Sequence, residues 1–319
     1  MKNCPNRENL QYKNTDSVRS ATAVFEDFIS TKRSEGKSDY TLTTYRNHFR
    51  FFIKSIGGDC DIREIATYHY NEFVKVLRER DVSPATIKSY GNSLRSFFNW
   101  CLETGEIYYS VNIPLLKAQT KIKQVYADDE LRKLLKKPNL SKCSFTEYKI
   151  WVLENLAIST GLRISSMLGI KVGDVSFDDG SIIINITKNK EALVTYMNRD
   201  MQKILKEYLG YRNPKTNDDY LFCTDYGKKL ARRSAQDEIA EYNKARGVNK
   251  TSCHLFRHTF AKNSVSSGQD IVTLMRMLQH SDISTTYRYL RTLGLDIKDK
   301  VDIYNPQQLY AENSRIKMQ

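Results

Sequence analysis

Four short stretches carry side chains whose types and spacing suit chemistry at a phosphate. They are TGLRISSMLGI with Arg163, ITKNK with Lys188, HLFRHTF with His254 and Arg257, and QHSDISTTYRYL with His280, Tyr287 and Tyr289. Guanidinium groups stay charged and donate two parallel hydrogen bonds to an oxyanion pair. Arg163 and Arg257 therefore suit the non-bridging oxygens of a phosphodiester and the charge that grows on them toward a pentavalent transition state. A tyrosine phenol, with an unperturbed pKa of about 10, carries a phosphoryl group as an ester when a base stands nearby. His254 and His280 can orient the phosphate and take that proton, and Lys188 can protonate the leaving 5′ oxygen. Singly, each stretch is weak. An arginine past a helix end or a lysine at a hairpin tip is ordinarily solvated, and His and Arg three apart on a helix more often form a structural pair.

The elements that must position these groups follow from periodicity. After a helix near 128–137 and a second from 146 that stops at Gly161, the pattern turns β-branched and alternating around the turn signal DDG. Three short antiparallel strands are expected at 174–177, 181–187 and 192–197. Lys188 would then directly end the second strand, which favours it over Lys190 as the acid. Helices are expected at 200–211, 232–246, 254–267, 271–279 and 283–293. On that last helix Tyr287 lies two residues from Tyr289, about 200° around, so the two cannot face one phosphate. His258, beside Arg257, is expected to pack within its helix.

The first half reads as a helical bundle over 18–35, 41–56, 67–80 and 85–103. Leu42, Tyr45, Phe49, Phe52, Ile53 and Ile56 form one apolar stripe, and Ile87, Tyr90, Leu94, Phe97, Phe98 and Cys101 another. Ser83 can cap the fourth helix and Pro84 suits its first turn. Lys37, Arg46, Arg50, Lys54, Lys88 and Arg95 are expected on polar faces. The fold class expected is mainly α with a small antiparallel β-sheet, in two domains. A flexible lead spans 1–16, the bundle 17–110, a basic linker with Pro114 and three lysines 111–124, a second domain 125–295, and a tail 296–319.

The ordered set Arg, Lys, HxxR, His, Tyr resembles the tyrosine recombinase (lambda integrase, or phage integrase) family, and the resemblance covers nearly the whole chain. SPATIKSYGNSLRSFFNWCLETGEI is similar to that family's core-binding domain, and 125–295 to its catalytic domain. The resemblance implies a DNA-binding bundle, a catalytic set of Arg163, Lys188, His254, Arg257, His280 and Tyr289, and the tyrosine nine positions after the late histidine as nucleophile. It implies a site-specific DNA recombinase of integrase or transposon type, passing through a 3′-phosphotyrosyl ester and a Holliday junction. Its partners would be double-stranded DNA sites, a homotetramer and accessory DNA-bending proteins, with the tail exchanged between subunits. Cutting and rejoining DNA without ATP needs an intermediate that stores the phosphodiester energy, and an enzyme-linked phosphate ester does so. No carboxylate pair or metal-ligand cluster accompanies the set, so neither metal nor other cofactor is expected. Three positions depart from the family pattern: Ser166 stands where an acid is usual, TKNK replaces a glycine-flanked GKG, and LQH replaces LGH.

The bulk numbers agree. A chain of 319 residues is long enough for two cores. A net charge of +13, from 50 Lys and Arg against 37 Asp and Glu, goes beyond what solubility needs and points to a polyanionic partner. No apolar run suits a membrane span and no signal-peptide pattern opens the chain, so a cytoplasmic protein without membrane contact is expected. Six scattered cysteines without a CxxC pair read as reduced. Competing readings are a type IB topoisomerase, which shares the phosphate chemistry, and a non-catalytic DNA-binding regulator.

Overall fold

The computed structural model describes residues 19–114, 124–185 and 193–279. The lead, Lys188, Lys190, His280, Tyr287, Tyr289, the expected helix 283–293 and the tail lie outside the described residues. The chain divides into two compact units, residues 1–119 and 120–319.

The first unit packs four helices, α1 (Ala21–Ser34), α2 (Asp39–Ser55), α3 (Thr67–Glu79) and α4 (Pro84–Glu103). Serines at 20, 38 and 83 cap α1, α2 and α4 by accepting a first-turn amide, and Pro84 opens α4 as expected. The apolar stripes meet in an aromatic core in which Phe25 stacks on Phe49 with ring centroids 3.9 Å apart, and Phe97 meets both edge-on. One polar-face expectation changes. Arg46 stays at the surface, paired with Glu26 at 2.8 Å, whereas Arg95 donates to the carbonyl of Ile113. That bond helps to hold the chain beyond α4, where Val111 and Ile113 are buried in this same core.

The second unit comprises α5 (Asp128–Leu134), α6 (Phe145–Thr160), α7 (Ile164–Met167), β1 (Ser181–Ile184), β2 (Leu193–Tyr196), α8 (Arg199–Arg212), α9 (Arg232–Ala245), α10 (Cys253–Ser266) and α11 (Ile271–Met277). The molecule is mostly helical with a two-stranded antiparallel sheet among the described residues. α5 stops short of the expected 137. The Trp151 indole takes the Leu135 carbonyl and the Tyr242 hydroxyl that of Leu134, both at 2.9 Å, just ahead of Pro138.

No strand forms at 174–177. The chain there first pairs elsewhere: the amides of Val172 and Gly173 donate to the carbonyls of Asp219 and Asn217, each at 2.8 Å. A 3₁₀ turn then consumes Val172–Asp174, leaving an isolated bridge from Val175 to Ile182 and one bond from the Ser176 amide to Ser181. The described part of β1 ends at Ile184, opposite Leu193. Asn185 lies outside the ladder and donates its side-chain amide to Asp174 at 2.6 Å. Lys188 and Lys190 both lie outside the described residues.

Among the described cysteines, all are free, with Cys101, Cys223 and Cys253 buried. Among the described residues no helix is long and apolar enough to cross a membrane.

Candidate active site

The second core is built around α6, which buries residues on every side from Tyr148 to Thr160. A helix apolar all round must be enclosed, and α8, α9 and α10 enclose it. At its end Gly161 adopts the left-handed conformation, φ +65°, with its amide bonded to Ala157. A side chain could not stand there. A Cβ on Gly161 would lie 2.4 Å from the Cδ1 of Phe260 on α10.

Immediately beyond, Arg163 is the N-cap residue of α7, its carbonyl accepting from the amides of Ser166 at 2.9 Å and Met167 at 3.1 Å. This single turn is fastened to the core by buried Ile164 and Met167. It leaves Arg163 half-buried at the margin. Ser166, where the family pattern carries an acid, is itself buried.

α10 supplies the next pair. His254 sits in its first turn with an exposed side chain, where the partial positive charge of the helix start favours an anion. His258 is half-buried one turn later. Arg257 is only 4% exposed. Its Nη1 donates to the Gly161 carbonyl at 2.7 Å and its Nη2 to the carbonyl of Leu278, the C-cap residue of α11. One guanidinium therefore joins the C-terminal ends of two helices, where unpaired carbonyls and the helix dipole both welcome a cation. Each grip falls two residues before a position singled out in the sequence: Gly161 before Arg163, and Leu278 before His280. The sequence placed Arg257 on a phosphate; the described structure gives it a bridging role as well.

The structure thus brings the chain at Arg163 together with α10, bearing His254 and Arg257, and with the chain end leading to His280. Lys188, His280 and Tyr289 lie outside the described residues. Sequence reasoning passed over the Gly161 and Leu278 carbonyls, since an acceptor on the backbone leaves no mark in residue type. It also missed Glu154 of α6, fully buried with no hydrogen-bond partner for either carboxyl oxygen. Desolvation holds that carboxyl well above the usual carboxylate range, with the charge of Arg246 opposing it.

Comparison with known proteins gives the family. Residues 124–293 match the model of the phage integrase family, and residues 24–105 that of the phage integrase N-terminal SAM-like domain. The chain is 25% identical over 296 residues to tyrosine recombinase XerD of Listeria innocua serovar 6a, an alignment covering 89% of this chain and 99% of that protein. It is likewise 25% identical over 286 residues to tyrosine recombinase XerC of Thermodesulfovibrio yellowstonii, covering 86% and 92%. Among solved structures, a lambda integrase tetramer bound to a Holliday junction shares the fold with a TM-score of 0.73 at 16% identity, over 91% of this chain and 82% of that one. With one family model spanning more than half of the sequence and a second matching its first unit, the chain belongs to the phage integrase family and is a tyrosine recombinase.

Proposed function

We propose that this enzyme is a site-specific DNA recombinase that cuts and rejoins duplex DNA through a 3′-phosphotyrosyl ester on Tyr289. Arg163 and Arg257 hold the non-bridging oxygens of the scissile phosphate, and their charge offsets that of the pentavalent transition state. His254 and His280 orient the phosphate and accept the tyrosine proton, and Lys188 protonates the departing 5′ oxygen. The ester conserves the phosphodiester energy, so ligation by the partner strand's 5′ hydroxyl needs no nucleotide. The observation that carries this reading is the Arg257 bridge, which ties the backbone leading to Arg163 to the backbone leading to His280.

Exchange proceeds through a Holliday junction in a homotetramer on two DNA sites, a feature carried over from the family. Integration, transposition and resolution share this chemistry, with accessory DNA-bending proteins setting direction. The reaction takes place in the cytoplasm. The test is a plasmid bearing two copies of a site mapped in the DNA flanking the gene. Site-dependent deletion or inversion supports the reading. Supercoil relaxation at low stoichiometry without site dependence makes the enzyme a type IB topoisomerase. Binding without any covalent adduct makes the chain a regulator.

A further inference from the structure

One peptide unit at the start of the second unit is held at both of its polar atoms by side chains. The carbonyl of Val125 accepts from the Nζ of Lys250 at 2.9 Å, and the amide of Tyr126, on the other side of the same peptide bond, donates to the Oγ1 of Thr259 at 2.9 Å. Thr259 is 1% exposed and lies on α10, two residues past Arg257. Its own hydroxyl proton goes to the carbonyl of Leu255 at 2.8 Å, so the oxygen is oriented to receive an amide from outside the helix.

The neighbouring side chains lock the same peptide further. The Tyr126 ring packs on Phe256 of α10, centroids 4.5 Å apart, and its hydroxyl accepts from fully buried Asn243 at 3.0 Å. Val125 packs against the cluster of Phe260, Ala261, Leu274 and Leu278, whose last member supplies a carbonyl to Arg257. Lys250 also pairs with Glu130 at 2.7 Å.

A backbone that only needed to reach the second unit could cross it with water on its polar atoms. Two side chains are committed to this peptide, and at the Tyr126 amide, where the bond to Thr259 is buried, a lost partner would leave a buried polar atom unpaired. Phe256 and Thr259 flank Arg257 in the sequence, so the ring contact and the Thr259 grip act on the turn of α10 that carries the guanidinium, while Lys250 lies three residues before that helix.

We propose that Thr259 is a positioning residue for the strand-transfer reaction, and that Thr259 fastens the 125–126 peptide to α10 while Lys250 fastens it to the chain just before that helix, so that His254 and Arg257 are held in register with the end of α6. The first-unit helices join the second unit through the chain immediately before this peptide. The clasp therefore makes the last link of that connection part of the scaffold of α10. The inference rests on the recombinase reading for its rate measurement but not for its structural one.

The test uses the full chain with Thr259→Val, which keeps the shape and loses the oxygen, Thr259→Ser, which restores it, and Lys250→Met at the other grip. On a nicked duplex carrying the mapped site, Thr259→Val and Lys250→Met should lower the first-order rate of adduct formation at saturating DNA by about 10-fold or more, since small misplacements of catalytic groups are costly. For Thr259→Val the half-site affinity should stay within about twofold, and Thr259→Ser should recover the rate, because this pair alters geometry and not charge. Amide exchange at Tyr126 and along the first half of α10 should quicken in Thr259→Val and return to normal in Thr259→Ser. An unchanged saturating rate in Thr259→Val, with only the melting temperature lowered, would reduce the clasp to a structural tie and overturn the proposal. If the wild-type chain forms no adduct on any DNA, the recombinase reading fails by itself. Exchange then decides the clasp: unchanged α10 exchange in Thr259→Val overturns it, and faster exchange sustains it.

Discussion

The Nη1 of Arg257 donates to the carbonyl oxygen of Gly161 at 2.7 Å across 96 residues of sequence. Because the same guanidinium also holds the Leu278 carbonyl, one buried side chain sets where the chain departs toward Arg163 and toward His280. Positions that look independent in sequence therefore share a single mechanical support.

Gly161 should not tolerate alanine. The left-handed φ of +65° and the Phe260 ring occupying the Cβ position act together. The conformational penalty and the overpacking sum to a loss of about 2–5 kcal/mol in unfolding free energy. Chemical denaturation of Gly161→Ala checks this, and a loss below the strain term alone would mean that α10 yields easily.

The two arginines should separate under conservative substitution. Arg163→Lys keeps charge but loses the planar fork, and cleavage should fall on the order of 100-fold with melting temperature and DNA affinity nearly unchanged. Arg257→Lys should lose cleavage and, in addition, on the order of 1–3 kcal/mol of stability, since two buried carbonyls lose their shared donor. Equal melting temperatures for the two variants would contradict the bridging role. Paired melting and suicide-substrate rates on both variants make the comparison.

Much of this was legible in the sequence where the signal is local. The stripes from Leu42 to Ile56 and from Ile87 to Cys101, and the cap at Ser83 with Pro84, give α2 and α4 nearly at their observed bounds. The strand expected at 174–177 failed because the amides of Val172 and Gly173 are claimed by residues 217–219, a pairing that no local pattern announces. Arg95 read as a surface cation, yet its partner is a carbonyl 18 residues on. HxxR was visible as a spacing; the Gly161 and Leu278 carbonyls that hold its arginine were not, because backbone acceptors are present at every residue.

Glu154→Gln should stabilise the enzyme more at neutral than at acid pH. Burial raises the folded-state pKa of Glu154 above its ordinary value near 4.5. The stability associated with its neutral form is present below that value and is lost as pH rises toward the raised folded pKa. The amide carries no such penalty, so the difference in melting temperature, variant minus wild type, should grow on going from about pH 4 to about pH 8. A difference that stays flat with pH would mean that Glu154 titrates normally.

The stretch ITKNK offers two candidate acids, Lys188 and Lys190. A substrate with a 5′-bridging phosphorothiolate has a leaving group that needs no proton, so it should restore cleavage to Lys188→Ala. Restoration of Lys190→Ala instead would exchange their roles. Restoration of neither would place the proton donor elsewhere.

Trapping of the covalent intermediate tests the assignment of Tyr289. With a nicked duplex carrying the mapped site and EDTA present, the wild-type chain and Tyr287→Phe should each form a 3′-phosphotyrosyl adduct that survives denaturation, and Tyr289→Phe should form none. An adduct that persists in Tyr289→Phe, or one that requires a divalent ion, would contradict a tyrosine nucleophile at 289 working on a phosphate neutralised by arginine alone.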